Sequence, residues 1–183
     1  LIGLPPAPEE IAAFVADPRP NAYERLVDRL LASPQYGERW GKYWLDASGY
    51  ADSNGYFNAD SDRPLAYRYR DWVIAAFNAD LPYDAFVQKQ LAVDLIEPQN
   101  KADFAALGFL GLGHKLYARG QLDVQAEEWS EQVDTVSQTF LGLTVACARC
   151  HDQKFDPITA RDYYAMAGVF ASMQTANLRR DGK

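Results

Sequence analysis

At 183 residues, 48% of them hydrophobic and 23% charged, the chain can bury a core as one domain, or as one domain with an extended lead-in. A net charge of -7 would be repelled by phosphate backbones, which argues against nucleic-acid binding. No apolar run approaches the roughly 20 residues of a membrane span, so no membrane insertion by this segment is expected. The chain opens at Leu1-Ile2-Gly3-Leu4 without a methionine. It reads as a piece of a longer protein, and the lack of a visible signal peptide says nothing about export.

Residues 1–20 read as an extended lead-in, Leu1 to Pro6 with its Pro5-Pro6, and a short helix from Pro8 to Ala16. Pro8 fits the first turn of that helix, and Glu9 and Glu10 favour its positive end. A second helix, Asn21 to Ala32, carries Tyr23, Leu26, Val27, Leu30 and Leu31 at helical spacing. Ser33-Pro34 opens a third, with Tyr36, Trp40, Tyr43 and Trp44 on one side. Asp52 to Pro64 is a polar loop. Helices are expected again over Leu65–Ala79, Tyr83–Ile96 and Ala102–Leu112, before a glycine-rich stretch around His114. A long helix from Glu127 to Cys150 and a last one from Thr159 to Ser172 complete the reading. Thr159 and Asp162 have the spacing of a capping box. No alternating strand pattern stands out. The predicted fold class is mostly α, a single irregular multi-helix domain with long loops and no significant sheet.

The chain holds only two cysteines and two histidines, and three of the four stand in Cys147-Ala148-Arg149-Cys150-His151. C-x-x-C-H is the attachment pattern of c-type haem. Two thiols add across the two haem vinyl groups, and the imidazole that follows reaches the iron as proximal ligand. Roughly one shuffled chain of this composition in 8,000 would show the pentapeptide, so chance is a poor explanation. Val133, Val136, Phe140, Leu143, Cys147 and Cys150 recur at intervals of three and four, predicting one helical stripe that delivers both thiols from a buried face. The rival readings are a disulfide or redox pair and a metal site. A thioredoxin-like setting would need a strand before Cys147, and structural zinc takes four ligands. For the sixth iron position His114 is the remaining imidazole, with Met166, Met173, Lys115 and Tyr117 behind it. An open or unassigned sixth position is the expectation. Arg149, with Arg63, Arg68 and Arg70, offers guanidinium forks suited to haem propionates. Asp134 borders the apolar stripe near Glu131 and, if buried, needs a partner such as Arg68 or Arg70. Asp52, Asn54, Asp60 and Asp62 gather oxygen ligands, but not at EF-hand spacing, and a solvated acidic loop is the better reading.

Several phrases extend the argument beyond the pentapeptide. They include Tyr23-Glu24-Arg25-Leu26-Val27-Asp28-Arg29-Leu30-Leu31-Ala32-Ser33-Pro34, Tyr36-Gly37-Glu38-Arg39-Trp40 and Tyr50-Ala51-Asp52-Ser53-Asn54-Gly55-Tyr56. Tyr69-Arg70-Asp71-Trp72-Val73, Phe140-Leu141-Gly142-Leu143-Thr144 and Cys147 to Asp152 running into Lys154-Phe155-Asp156-Pro157-Ile158 follow in order. With these the chain resembles the planctomycete-type cytochrome domain (domain of unknown function 1549) of large secreted proteins from Planctomycetes and related bacteria. The resemblance implies export to the periplasm or outside the cell, fusion to redox or planctomycete-specific domains, and one covalent haem c that carries electrons. Gln153 departs from the pattern, since a second histidine is common there. The alternatives are a haem-free interaction module with a Cys147–Cys150 disulfide, and a catalytic haem with an open sixth position.

Overall fold

The computed structural model describes residues 1–55, 60–113 and 121–173. Every regular element among them is helical, apart from one isolated antiparallel bridge between Ser53 and Asp62 at the neck of the polar loop. The mostly α class is thereby met. His114, Lys115 and Tyr117 lie outside the described residues. The chain groups into two compact units, the first made of residues 1–53 and 62–112, the second of the described residues of 54–61 and 113–173.

The first unit contains α1 (Pro8–Val15), α2 (Ala22–Leu31), α3 (Pro34–Ala47), α4 (Ala66–Asn78), α5 (Tyr83–Ile96) and a 3-10 helix, Lys101–Gly111. Its core is Tyr69, Val73 and Ala76 of α4, Phe86, Gln90 and Val93 of α5, and Ala106 and Phe109 of the 3-10 helix. α3 turns a glycine face to α4. A Cβ on Gly37 would stand 2.4 Å from the Ile74 carbonyl oxygen, so only hydrogen fits there. The Gly37 N–H donates to Asn78 Oδ1 at 2.8 Å, and the Asn78 amide donates to the Pro34 carbonyl, closing the first turn of α3 from a neighbouring helix. Trp44 points inward, its ring edge-on to Phe86 at 4.7 Å. Its indole N–H lies 3.0 Å from both the Tyr69 hydroxyl and Gln90 Oε1, and the Tyr69 hydroxyl donates to the same oxygen at 2.6 Å. These polar groups are satisfied by one another, as burial in an aromatic core requires. Tyr36, Trp40 and Tyr43 form a ladder of rings outside that core, with Trp40 and Tyr43 exposed.

The second unit contains α6 (Leu122–Val136), a π-helical turn Ser137–Leu141, a 3-10 turn Val145–Arg149, and α7 (Ala160–Ala171). Here the expectation of one helix from Glu127 to Cys150 is corrected. The α-helix starts earlier, at Leu122, and ends at Val136. The backbone then widens, and Gly142 adopts φ 65°, the left-handed conformation that ends helices. The Gly142 and Leu143 N–H groups donate back to the carbonyls of Gln138 and Ser137, each at 3.1 Å. Ser137 is buried, with its hydroxyl donating to the Asp134 carbonyl. At the other end of the unit the predicted cap of α7 is present. The Asp162 N–H donates to Thr159 Oγ1, and the Thr159 N–H donates to Asp162 Oδ2. The Thr159 hydroxyl, which also donates to Oδ2, and then the Thr159 N–H hold the Asp162 carboxyl below its usual range.

Candidate functional site

The break at Gly142 resets the phase of everything after it. In a 3-10 turn, residues three apart eclipse one another with a rise of about 6 Å between them. Val145 and Ala148 share the inward face and are buried. Cys147 and Cys150 share another face, and both are free and exposed. This corrects the expectation that the thiols leave the buried side of a continuous stripe. Phe140 and Leu143 are only half-buried, whereas Val133 and Val136 are core residues. Cys150 closes the turn at φ -105°, ψ -29°, so the chain is still right-handed where it passes to His151.

His151 is exposed, and its Nδ1 lies 2.8 Å from the carbonyl oxygen of Asp152. A carbonyl only accepts, so this contact puts a proton on Nδ1, and in the neutral ring the lone pair is then on Nε2. Asp152 is itself held, because its Oδ1 accepts from the Ala160 N–H, the first residue of α7, at 2.8 Å. Gln153 ties down the turn that follows. Its Oε1 accepts from the N–H groups of Phe155 (2.6 Å) and Asp156 (3.1 Å), and its Nε2 donates to Thr144 Oγ1 at 3.0 Å. The Gln153 N–H donates to the Ile158 carbonyl at 2.8 Å.

Arg149, inside the pentapeptide, grips the Glu127 carboxylate with both arms at 2.7 and 3.0 Å. The pairing raises the guanidinium further above its usual value and lowers the Glu127 carboxyl. Tyr164 of α7 donates its hydroxyl to the Arg149 carbonyl at 3.2 Å, fixing the backbone between the two thiols. Arg63 donates to the Leu112 carbonyl, and Arg70 pairs with its neighbour Asp71. The Glu131 carboxylate fills the space beside Gly113, where a Cβ would lie 2.3 Å from it. Met166 is half-buried and Met173 exposed on the last helix and its end. In the polar loop Asp60 Oδ1 accepts from the Gly55 and Ser61 N–H groups, and Asp52 accepts from the Tyr50 hydroxyl. Burial first, then that contact, pushes the Tyr50 phenol up to about 12. Among the described residues no three His, Cys, Asp or Glu side chains converge as a site for a bare metal ion.

Sequence reasoning found the two thiols and the imidazole but passed over Glu127, Thr144, Asp152 and Tyr164, and took Gln153 only as a missing histidine. Asp152 carried a signal, since aspartate side chains that bond nearby backbone N–H groups favour turns. The donor set fits a covalent haem in its chemistry: two accessible thiols three residues apart, then an imidazole with Nε2 as its acceptor nitrogen.

Fold and site together define a helical protein with a surface C-x-x-C-H turn. The chain belongs to the PSCyt2 family, a protein family of unknown function (DUF1549), whose model matches residues 1–175. Comparison with curated proteins and with solved structures finds no match.

Proposed function

We propose that this is an exported c-type cytochrome domain that binds one haem covalently through Cys147 and Cys150, with His151 as proximal ligand, and passes electrons within a larger redox protein. One observation carries the reading: both thiols lie free and exposed on one face of a 3-10 turn, directly before an imidazole whose Nε2 is left as acceptor. When bound, haem supplies one-electron chemistry at its iron, with a potential set by axial ligation and burial. The chain's own residues position that chemistry. Ala148 and Val145 anchor the turn in the core, Tyr164 and Glu127 brace Arg149 between the thiols, and His151 offers one nitrogen. Arg149, engaged by Glu127, is then a positioning residue whose guanidinium chemistry also suits a haem propionate. No sixth ligand is assigned. The partners are fused redox or planctomycete-specific domains of the same protein, and the location is periplasmic or extracellular.

The test is expression with the c-type maturation machinery, followed by intact mass and a pyridine haemochrome spectrum. A mass increment of one haem that survives denaturation is expected, and a haem-free product under those conditions overturns the reading. The accessibility of both thiols favours a second reading, a haem-free interaction module with a Cys147–Cys150 disulfide. Alkylation of the same product with and without reductant identifies it. A third outcome is read from the loaded protein: a high-spin spectrum in the wild type points to an open sixth position and a catalytic haem. If the spectrum is low-spin, His114→Ala makes it high-spin when His114 is the ligand and leaves it unchanged otherwise.

A further inference from the structure

We infer that Asp152 and Gln153 are positioning residues that hold the His151 imidazole in its Nδ1–H form, with Nε2 as the acceptor nitrogen, before any ligand arrives. His151 is exposed, so water competes for both ring nitrogens and burial cannot choose between them. What selects the form is the fixed direction of one carbonyl, that of Asp152, 2.8 Å from Nδ1. That carbonyl is not free to turn. Its residue is anchored by the carboxylate on the Ala160 N–H, where the positive end of α7 favours a negative charge. The next residue locks the far side of the same turn. Gln153 takes two backbone N–H groups with one oxygen and donates its amide to Thr144, ahead of the thiol-bearing 3-10 turn. An amide does both jobs because it accepts and donates at once. One short network therefore links the start of α7, the imidazole and the approach to the two thiols. A preset nitrogen of this kind is what metal-ligating histidines obtain from the groups around them. The use of Nε2 as an iron ligand rests on the haem reading, whereas the ring's preset form does not.

The full chain, haem-free and labelled with nitrogen-15, reports the ring form directly through long-range proton–nitrogen correlation at pH 8. His114→Ala removes the only other imidazole signal. The expected result is a His151 ring mainly in the Nδ1–H form, shifting several-fold toward Nε2–H in Asp152→Ala and in Gln153→Ala. Asp152→Asn should keep the wild-type form, since its amide oxygen still accepts from Ala160. A wild-type ring mainly in the Nε2–H form overturns the inference without any variant. So does an unchanged ring in folded Asp152→Ala and Gln153→Ala. Absence of haem after maturation-competent expression rejects the cytochrome reading alone and leaves the ring measurement standing.

Discussion

Phe155 stands only four residues beyond His151, yet 83% of its surface is exposed, on a turn braced by Gln153. Its side chain adds nothing to the core, so Phe155→Ala should change folding stability by no more than about 0.5 kcal/mol. Phe109 is 2% exposed, and Phe109→Ala should cost about 3–5 kcal/mol through lost transfer energy and the cavity left behind. Urea unfolding of the two variants side by side checks the contrast, and similar losses would mean that Phe155 is packed. The thiols belong to the same scale. Under the haem reading, replacing both Cys147 and Cys150 with Ala should abolish haem staining on a denaturing gel, because thioethers need the sulfurs. In the haem-free chain the same substitutions should leave stability unchanged, since both side chains are exposed.

Glycine sets the element scale at two places, for opposite reasons. Gly142 has nothing within 4 Å of an added Cβ, so Gly142→Ala is penalised only by its left-handed backbone at φ 65°, by about 1–2 kcal/mol. Gly37 has an ordinary helical backbone but no room, and Gly37→Ala must push α3 from α4, costing about 1–3 kcal/mol. Thermal melts of both variants measure the two penalties. A Gly142→Ala variant as stable as wild type would show that the π-turn can close without the left-handed residue. The distinction bears on function, because Gly142 ends the π-helical turn after α6, beyond which the thiols lie at the surface rather than in the core.

For the whole molecule the acidic groups act together. Glu10, Asp17, Glu97, Asp103, Glu127 and Asp162 are all held below their ordinary values of 3.8 or 4.5, Asp17 to about 2. Hydrogen bonds and cations do this; at Asp103 burial pushes the other way and is outweighed by Lys89, Trp72 and Asn100. A carboxyl lowered on folding stabilises fully above its unfolded value, and that contribution is lost as the pH falls through the folded value. The urea midpoint should therefore hold from neutral pH to about 5 and fall steadily between about 4.5 and 2. The exposed pairs of Glu10, Glu97 and Glu127 each contribute little, whereas the Lys89–Asp103 pair, with side chains 14% and 23% exposed, is screened less. A midpoint that rises on acidification would contradict the sign.

Local chemistry decided what could be read without coordinates. Helix breakers such as Asp17-Pro18, Ser33-Pro34 and Asp80-Leu81-Pro82, the Thr159–Asp162 cap and the Cys147–His151 pattern act within a few residues, and the helices they bound lie where they predict. The 3.6-residue period failed past Val136, where Ser137 and Gly142 alter the pitch. Spacings of three and four still fit a helix there, while the true turn counts by three, and the buried residues are Val145 and Ala148 instead of the cysteines. Glycine and the β-branched Thr144 and Val145 are weak helix formers and were the available warning. Only the tertiary structure could bring Glu127 to Arg149, α7 to Asp152 and Tyr164 to the motif's backbone, because each pairing spans from 8 to 22 residues. Contacts at that range depend on how helices pack, and packing is not a periodic property of the chain.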